Sequence, residues 1–205
     1  MKNIKKHFKK IILIISIILF TGITLLAFNN QLSNIDKLIH TNILNIRTNF
    51  LTSIFLIITH LANAYFLITL SIILLIIIKN KKIPLAIIIN LICSFTINEL
   101  TKSIFRRPRP IGISLIEENG FSFPSGHSMV GMAFFGFITY LLYNKLKSKK
   151  SKILLVTSST ITILLIGFSR IYLGVHYLSD IIAGFLLSSI YLIIYITIIK
   201  KKKVI

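Results

Sequence analysis

Long apolar runs separated by short polar stretches set the hydropathy pattern of the chain. Each run is near the roughly 20 residues that a helix needs to cross a bilayer. The runs predict six membrane-spanning helices, over 11–28, 54–78, 83–105, 125–143, 153–168 and 177–199. A polar stretch with scattered apolar positions, residues 29–50, predicts a short interfacial helix. The predicted fold is all-α: a polytopic membrane protein built as one membrane-embedded domain, 1–205.

Composition agrees with a membrane protein and argues against a nucleic-acid partner. Apolar residues make up 55% of the chain, and the formal net charge is +19. Such a charge on a soluble chain would suggest nucleic-acid binding, but here the lysines form short clusters between apolar runs. The first run is longer than the about 7–15 apolar residues of a signal peptide, so we interpret it as an uncleaved first span.

Positive charge is distributed unevenly between the two predicted sides of the membrane. The N-terminus, the turns after the second and fourth runs, and the C-terminus hold 17 of the 24 Lys and Arg residues. The alternate segments hold the other 7, together with all five acidic residues. Because cytoplasmic loops are enriched in Lys and Arg, we expect both termini to be cytoplasmic.

Three polar segments then emerge together at the outer face, which is where an active site is expected. They are residues 102–110, 123–128 and 169–180. A charged side chain at the centre of a membrane helix costs roughly 2.5–3.5 kcal/mol on insertion scales. The charged residues of these three segments are therefore more consistent with a functional role than with a structural one.

The first segment, K-S-I-F-R-R-P-R-P, concentrates cations that suit a phosphate. Arg offers a planar fork to phosphate oxygens and Lys offers a point charge. The prolines on either side of Arg109 restrict its backbone. We expect an anion site formed by Lys102 and Arg109, with Arg170 from the third segment. Arg106 and Arg107 either join this site or bind anionic lipid headgroups, and both interpretations remain open.

The second and third segments add candidate chemistry. In P-S-G-H at the start of a helix, Gly126 lets a ligand approach the backbone, and first-turn N–H groups can bind an anion. His176 and Asp180 are four residues apart, so they share a face if the last helix begins near Val175. A carboxylate there could fix the ring tautomer and leave the other nitrogen free. The structural alternative is an interfacial His beside a snorkelling Arg170.

The spacing K-x6-R-P, then P-S-G-H, then S-R-x5-H-x3-D resembles the signature of the type 2 phosphatidic acid phosphatase and vanadium haloperoxidase superfamily. All three blocks match in order from Lys102 to Asp180. The haloperoxidase branch is soluble, unlike this chain. The resemblance therefore implies a membrane phosphatase that releases phosphate from a lipid.

The resemblance also implies a mechanism without a metal or another cofactor. His176 attacks phosphorus and forms a phosphohistidine, Asp180 orients it, and His127 acts first as general acid and then as general base. The implied phosphate-binding residues are Lys102, Arg109, Ser125, Gly126 and Arg170. Glu117 and Glu118 are interpreted as a solvated pair. His7, His40 and His60 have no predicted partner and are expected to be structural or interfacial.

Within the superfamily, G-F-S-F-P-S-G-H-S in a short chain is similar to bacterial enzymes acting on undecaprenyl diphosphate and phosphatidylglycerophosphate. An outward-facing site in a bacterial cell membrane favours undecaprenyl diphosphate. Phosphatidylglycerophosphate and phosphatidic acid are the alternative substrates. A function of another class, a non-catalytic lipid-binding or transport protein on the same scaffold, is disfavoured because the His and Lys positions are all present.

Overall fold

The computed structural model describes the backbone of residues 2–202 and the side chains of residues 7–202. Met1 and residues 203–205, including Lys203 of the C-terminal lysine cluster, lie outside the described residues. The described part contains eight α-helices. They are α1 (Lys2–Phe28), α2 (Ser33–Asn45), α3 (Asn49–His60), α4 (Ala64–Ile77), α5 (Lys82–Phe105), α6 (Gly126–Lys145), α7 (Lys149–Tyr172) and α8 (Leu178–Lys201).

Within these residues, five helices are long and apolar enough to cross a membrane, and a sixth span is formed if α3 and α4 are counted together. The prediction of an all-α polytopic fold is confirmed. The predicted second span is wrong as a continuous helix, because α3 and α4 meet at an angle of 47°. The cause is local: the Asn63 side chain accepts a hydrogen bond from the Tyr65 N–H at 3.0 Å and starts a new helix. The short helix expected within 29–50 is α2, and its position at the membrane interface stays a prediction.

The last helix begins at Leu178, close to the predicted start of the last span at 177 and after the start near Val175 that a helical face shared by His176 and Asp180 would need. Gly174 lies before it with φ of +76°, a left-handed conformation that glycine adopts without strain. The Tyr177 N–H then donates to Asp180 Oδ2 at 2.9 Å, which satisfies a free donor at the helix start. His176 consequently lies in the turn before α8. The expectation that it shares a helical face with Asp180 is wrong, although the two side chains still meet.

Helix α6 packs against α5, α7 and α8, while α1 packs against α8 and α3 against α7. The core between α6 and α8 contains Phe134, Phe137 and Tyr195. At one end of this bundle α8 approaches the start of α6 closely. A Cβ on Gly184 would lie 2.9 Å from the Ser125 carbonyl oxygen, so only glycine fits there. The end of α5, the start of α6, the end of α7 and the start of α8 therefore meet at this end.

Candidate active site

The helix ends bring the three polar segments of the sequence into one site. Ser125 caps the start of α6, and its N–H donates to the Asp180 carbonyl at 3.1 Å. The absent side chain of Gly126 leaves room beside α5: a Cβ there would lie 3.0 Å from Asn98 Oδ1 and 3.7 Å from Lys102 Nζ. Lys102 thus lies beside the backbone of the P-S-G-H segment.

His176 is buried and has a charged neighbour at each of its two ring nitrogens, with a hydrogen bond at Nε2 alone. Its Nδ1 lies 3.5 Å from Asp180 Oδ2, and its Nε2 lies 3.2 Å from Arg109 Nη1. A guanidinium can only donate hydrogen bonds, so Nε2 must be the acceptor. The ring therefore carries its proton on Nδ1, facing Asp180, and a lone pair on Nε2.

The surroundings of His176 also keep the ring uncharged. Burial lowers the pKa of His176 to about 4, and the cations Arg170 and Arg109 act in the same direction, against the opposing effect of Asp180. At neutral pH the imidazole is therefore neutral. A neutral imidazole is the form that can act as a nucleophile.

His127, in the first turn of α6, lies at the same end of the bundle as His176. His127 also borders a cavity of about 350 Å³ together with Lys102 and Glu118. One candidate imidazole and one candidate cation thus line this cavity, and Glu118 connects its wall to Arg109 and Arg170.

Two arginines beside this cavity contact the carboxylate of Glu118, which lines it. Arg170 is buried; its Nη1 donates to Thr59 Oγ1 at 2.6 Å and its Nη2 to Glu118 Oε1. Arg109 Nη2 lies 3.6 Å from Glu118 Oε2. A carboxylate and a phosphate offer similar paired oxygens to guanidinium groups. The two guanidinium groups are therefore placed to share one anionic group.

The remainder of the cavity is apolar and extends between α4 and α5. Its wall is formed by aliphatic and aromatic side chains, namely Leu67, Ile68, Leu91, Ile92 and Phe95. Ile68, Ile92 and Phe95 are also exposed on the surface of the bundle. The space thus has a charged end and an apolar end, the shape that a lipid phosphate requires.

Residues 82–203 match the sequence family described as the PAP2 superfamily. This chain belongs to the PAP2 superfamily. It is 40% identical to phosphatidylglycerophosphatase B of Bacillus subtilis over 91 residues, which are 43% of this chain and 44% of that protein. It is 29% identical to an undecaprenyl-diphosphatase of Sulfolobus acidocaldarius over 194 residues, 90% of this chain and 88% of that one.

A solved PAP2 structure has the same architecture over nearly the whole chain. The transmembrane PAP2-type phosphatidylglycerolphosphate phosphatase from Bacillus subtilis superposes with a TM-score of 0.85 at 27% identity. The superposition covers 92% of this chain and 96% of that one. The chain is therefore a multi-pass PAP2 membrane lipid phosphatase in family and architecture.

The PAP2 site also contains Glu118, a residue that the sequence analysis interpreted wrongly. It was expected to form a solvated pair with Glu117, but its carboxylate bridges Arg109 and Arg170. The loop between α5 and α6 folds back over the site because Arg109 donates to the Asn119 and Gly120 carbonyls at 2.9 and 3.1 Å. The only signal in the sequence was an acidic residue in a loop beside several arginines.

Arg107 and His40 are further residues of the site that the sequence did not resolve. Arg107 pairs with Asp180 and with Asp36 of α2. Burial lowers the pKa of Arg107, but the carboxylates of Asp180 and Asp36 outweigh burial and raise it above its usual value. His40, expected to lack a partner, donates through Nε2 to the His176 carbonyl at 3.1 Å. Arg106, in contrast, is exposed.

Among the described residues of this PAP2 chain, no three His, Cys, Asp or Glu side chains are placed to hold a metal ion together. The independence of the reaction from metals stays a prediction. So do the catalytic and binding roles of the individual residues, although the structure brings all eight predicted side chains or backbone groups to the same end of the bundle.

Proposed function

We propose that this PAP2 lipid phosphatase hydrolyses undecaprenyl diphosphate through a phosphohistidine intermediate on His176. The observation that carries the proposal is the environment of Nε2. This atom is unprotonated and belongs to a neutral ring backed by a carboxylate; its lone pair accepts from Arg109 at 3.2 Å, a contact that a bound phosphoryl group would replace.

In the first step, His176 Nε2 attacks the terminal phosphorus of the lipid diphosphate. A nitrogen–phosphorus bond forms, and the bond from phosphorus to the bridging oxygen breaks. His127 donates a proton to that leaving oxygen, and the lipid monophosphate departs. The imidazole of His176 becomes positively charged, and Asp180 stabilises the charge through the Nδ1 proton.

In the second step, water attacks the phosphohistidine. His127, now deprotonated, accepts a proton from this water, the nitrogen–phosphorus bond breaks, and inorganic phosphate is released. In both steps, the three non-bridging oxygens of the phosphoryl group need hydrogen bonds that become stronger as negative charge builds up on them. The proposed donors are Lys102, Arg109, Arg170, the Ser125 hydroxyl and the Gly126 N–H.

The substrate assignment is supported by the shape of the cavity and by the names of the proteins similar to this chain. The apolar end of the cavity fits a hydrocarbon chain, and the near full-length relative from Sulfolobus acidocaldarius is named for the diphosphate. The Bacillus subtilis relatives are named for phosphatidylglycerophosphate, which supports that lipid as the second candidate. Phosphatidic acid is a third substrate of the same chemistry.

The proposed orientation puts the site on the outer face of a bacterial cell membrane with both termini in the cytoplasm. The opposite end of the bundle carries the lysine clusters, whereas the site end carries all five acidic residues. Cytoplasmic ends are enriched in Lys and Arg. A lipid diphosphate in the outer leaflet would then reach the charged end of the cavity from the membrane.

Replacing Glu118 by Gln is expected to tighten anion binding. Its carboxylate occupies Arg109 and Arg170, so a phosphate must displace it or share these cations with it. We expect the inhibition constant of vanadate and the KM to fall by roughly 5- to 30-fold, the effect of about 1–2 kcal/mol for removing a competing charge. Glu117→Gln is the matched control, since Glu117 is exposed. Weaker vanadate binding in Glu118→Gln would instead show that Glu118 positions the arginines.

The proposed function is tested with purified protein in detergent and a panel of isoprenyl diphosphates, isoprenyl monophosphates, phosphatidylglycerophosphate and phosphatidic acid. The expected result is the highest kcat/KM for undecaprenyl diphosphate, with activity unchanged by EDTA. A higher kcat/KM for phosphatidylglycerophosphate would transfer the assignment to that lipid. Loss of activity in EDTA with recovery in Mg²⁺ would contradict the metal-independent mechanism.

A further inference from the structure

A carboxylate of the interfacial helix is buried behind the active site. Asp36 of α2 is 2% exposed and lies outside all three signature segments. It accepts hydrogen bonds from the Ser179 N–H at 3.2 Å, from Ser179 Oγ at 2.7 Å and from Arg107 Nη2 at 2.9 Å. Because a buried charge is costly unless it is paired and hydrogen-bonded, these contacts fix α2 firmly to the start of α8.

Arg107 connects this carboxylate to the catalytic one. While Nη2 binds Asp36, Nη1 donates to Asp180 Oδ1 at 2.6 Å and to Ser179 Oγ at 2.7 Å. The guanidinium also lies over the Tyr177 ring, with its carbon 4.2 Å from the ring centroid. A planar group with bonds at both ends and an aromatic ring against its face has little freedom to move.

The hydrogen bond from Arg107 to Asp180 determines which carboxylate oxygen of Asp180 faces His176. Oδ1 is taken by Arg107, so only Oδ2 remains for the ring, where it lies 3.5 Å from Nδ1 and also accepts from the Tyr177 N–H at 2.9 Å. A rotation of the carboxylate would break the Arg107 bond. Arg107 therefore holds the orientation on which the Nδ1 proton of His176 depends.

A second tether from α2 reaches the same turn. His40 Nε2 donates to the His176 carbonyl at 3.1 Å, and its ring packs against Tyr177 with centroids 5.3 Å apart. Asp36 and His40 are four residues apart and share one face of α2. The interfacial helix thus contacts both the backbone and the carboxylate of the turn that carries His176.

We propose that Arg107 and Asp36 are positioning residues of this phosphatase: Asp36 fixes Arg107, and Arg107 holds the Asp180 carboxylate against His176. The inference rests on the proposed function, because it assigns the pair to the reaction of that site. It also gives α2 a role in catalysis and separates Arg107 from the neighbouring Arg106, which is exposed.

The experiment is a cycle of Arg107→Gln and Asp180→Asn, assayed for kcat and KM with the best lipid of the panel. Misplacement of a catalytic group by about 1 Å costs up to roughly 100-fold in rate. We therefore expect Arg107→Gln to lower kcat by about 10- to 100-fold with KM changed less than about threefold. In the Asp180→Asn background, the same substitution should have almost no further effect on kcat.

Conservative variants distinguish a loss of positioning from a loss of folding. Arg107→Lys restores a cation and should recover part of the kcat lost in Arg107→Gln, and Asp36→Asn should lower kcat without raising KM. Arg106→Gln is the matched control and should equal the parent in kcat, KM and melting temperature. A full Arg107→Gln effect that persists in the Asp180→Asn background, or wild-type kcat in both Arg107→Lys and Asp36→Asn, would overturn the proposal.

The proposed function and the positioning role of Arg107 are tested by different variants. If His176→Ala retained phosphate release, the proposed function itself would fail. If His176→Ala were inactive while the effects of Arg107→Gln and Asp180→Asn on kcat simply multiplied, only the positioning role of Arg107 would be lost.

Discussion

His176→Ala is expected to abolish phosphate release, with kcat falling by at least about 10⁴-fold, because removal of an attacking nucleophile leaves only binding and charge stabilisation. Nε2 of His176 is the unprotonated ring nitrogen and accepts a hydrogen bond from Arg109. Alanine removes this atom and leaves the contacts of Arg109 and Arg170 with the Glu118 carboxylate in place. Vanadate affinity is expected to decrease much less than kcat.

The assay measures inorganic phosphate released from the lipid by His176→Ala and by a His7→Ala control. His7 is exposed at the start of α1, and its replacement should leave kcat at the wild-type value. Intact thermal stability of His176→Ala would show that the loss is chemical. Phosphate release within tenfold of wild type would exclude His176 as the nucleophile.

Asp180→Asn is expected to lower kcat by roughly 10²- to 10⁴-fold, by analogy with the loss of the orienting carboxylate in a catalytic triad. Asp180 is fully buried, pairs with Arg107 and faces Nδ1 of His176. An amide keeps the size of the side chain but cannot neutralise the imidazolium that forms when Nε2 bonds to phosphorus. The carboxylate makes no direct contact with the proposed phosphate position, so KM should change less than kcat.

The measurement for Asp180→Asn is a comparison of kcat and KM with the melting temperature of the same sample. The melting temperature is needed because Asp180 also accepts the Tyr177 N–H at the start of α8. An unchanged kcat combined with a raised KM would mean that Asp180 acts in binding, which would contradict its role beside the reacting ring.

The sequence was sufficient to predict the helices and the site residues that lie at helix ends. Apolar runs long enough for a bilayer left few alternatives to a membrane bundle, and alternation of the runs placed Lys102, His127 and Arg170 at one end. The bend at residues 61–63 was missed because both arms are apolar, and the local cap by Asn63 is a weak signal within such a run.

The contacts that orient the site depend on tertiary structure and could not be read from spacing. Asp36 and Arg107 are 71 residues apart, and Asp36 and Ser179 are 143 apart. Glu118 meets Arg170 because an irregular loop folds back over the bundle, and no hydrophobic period specifies such a path. The sequence thus predicted the reacting groups, while the residues that hold them in place required the structure.

The most direct test is to trap the phosphoenzyme during turnover. A reaction with lipid labelled in the terminal phosphate is quenched in alkali, under which phosphohistidine survives, and the modified residue is located by mass spectrometry. The proposed mechanism predicts a phosphoryl group on His176 in the wild type and none in His176→Ala. A phosphoryl group on His127 or Ser125, or turnover with no protein-bound phosphate at any time point, would contradict it.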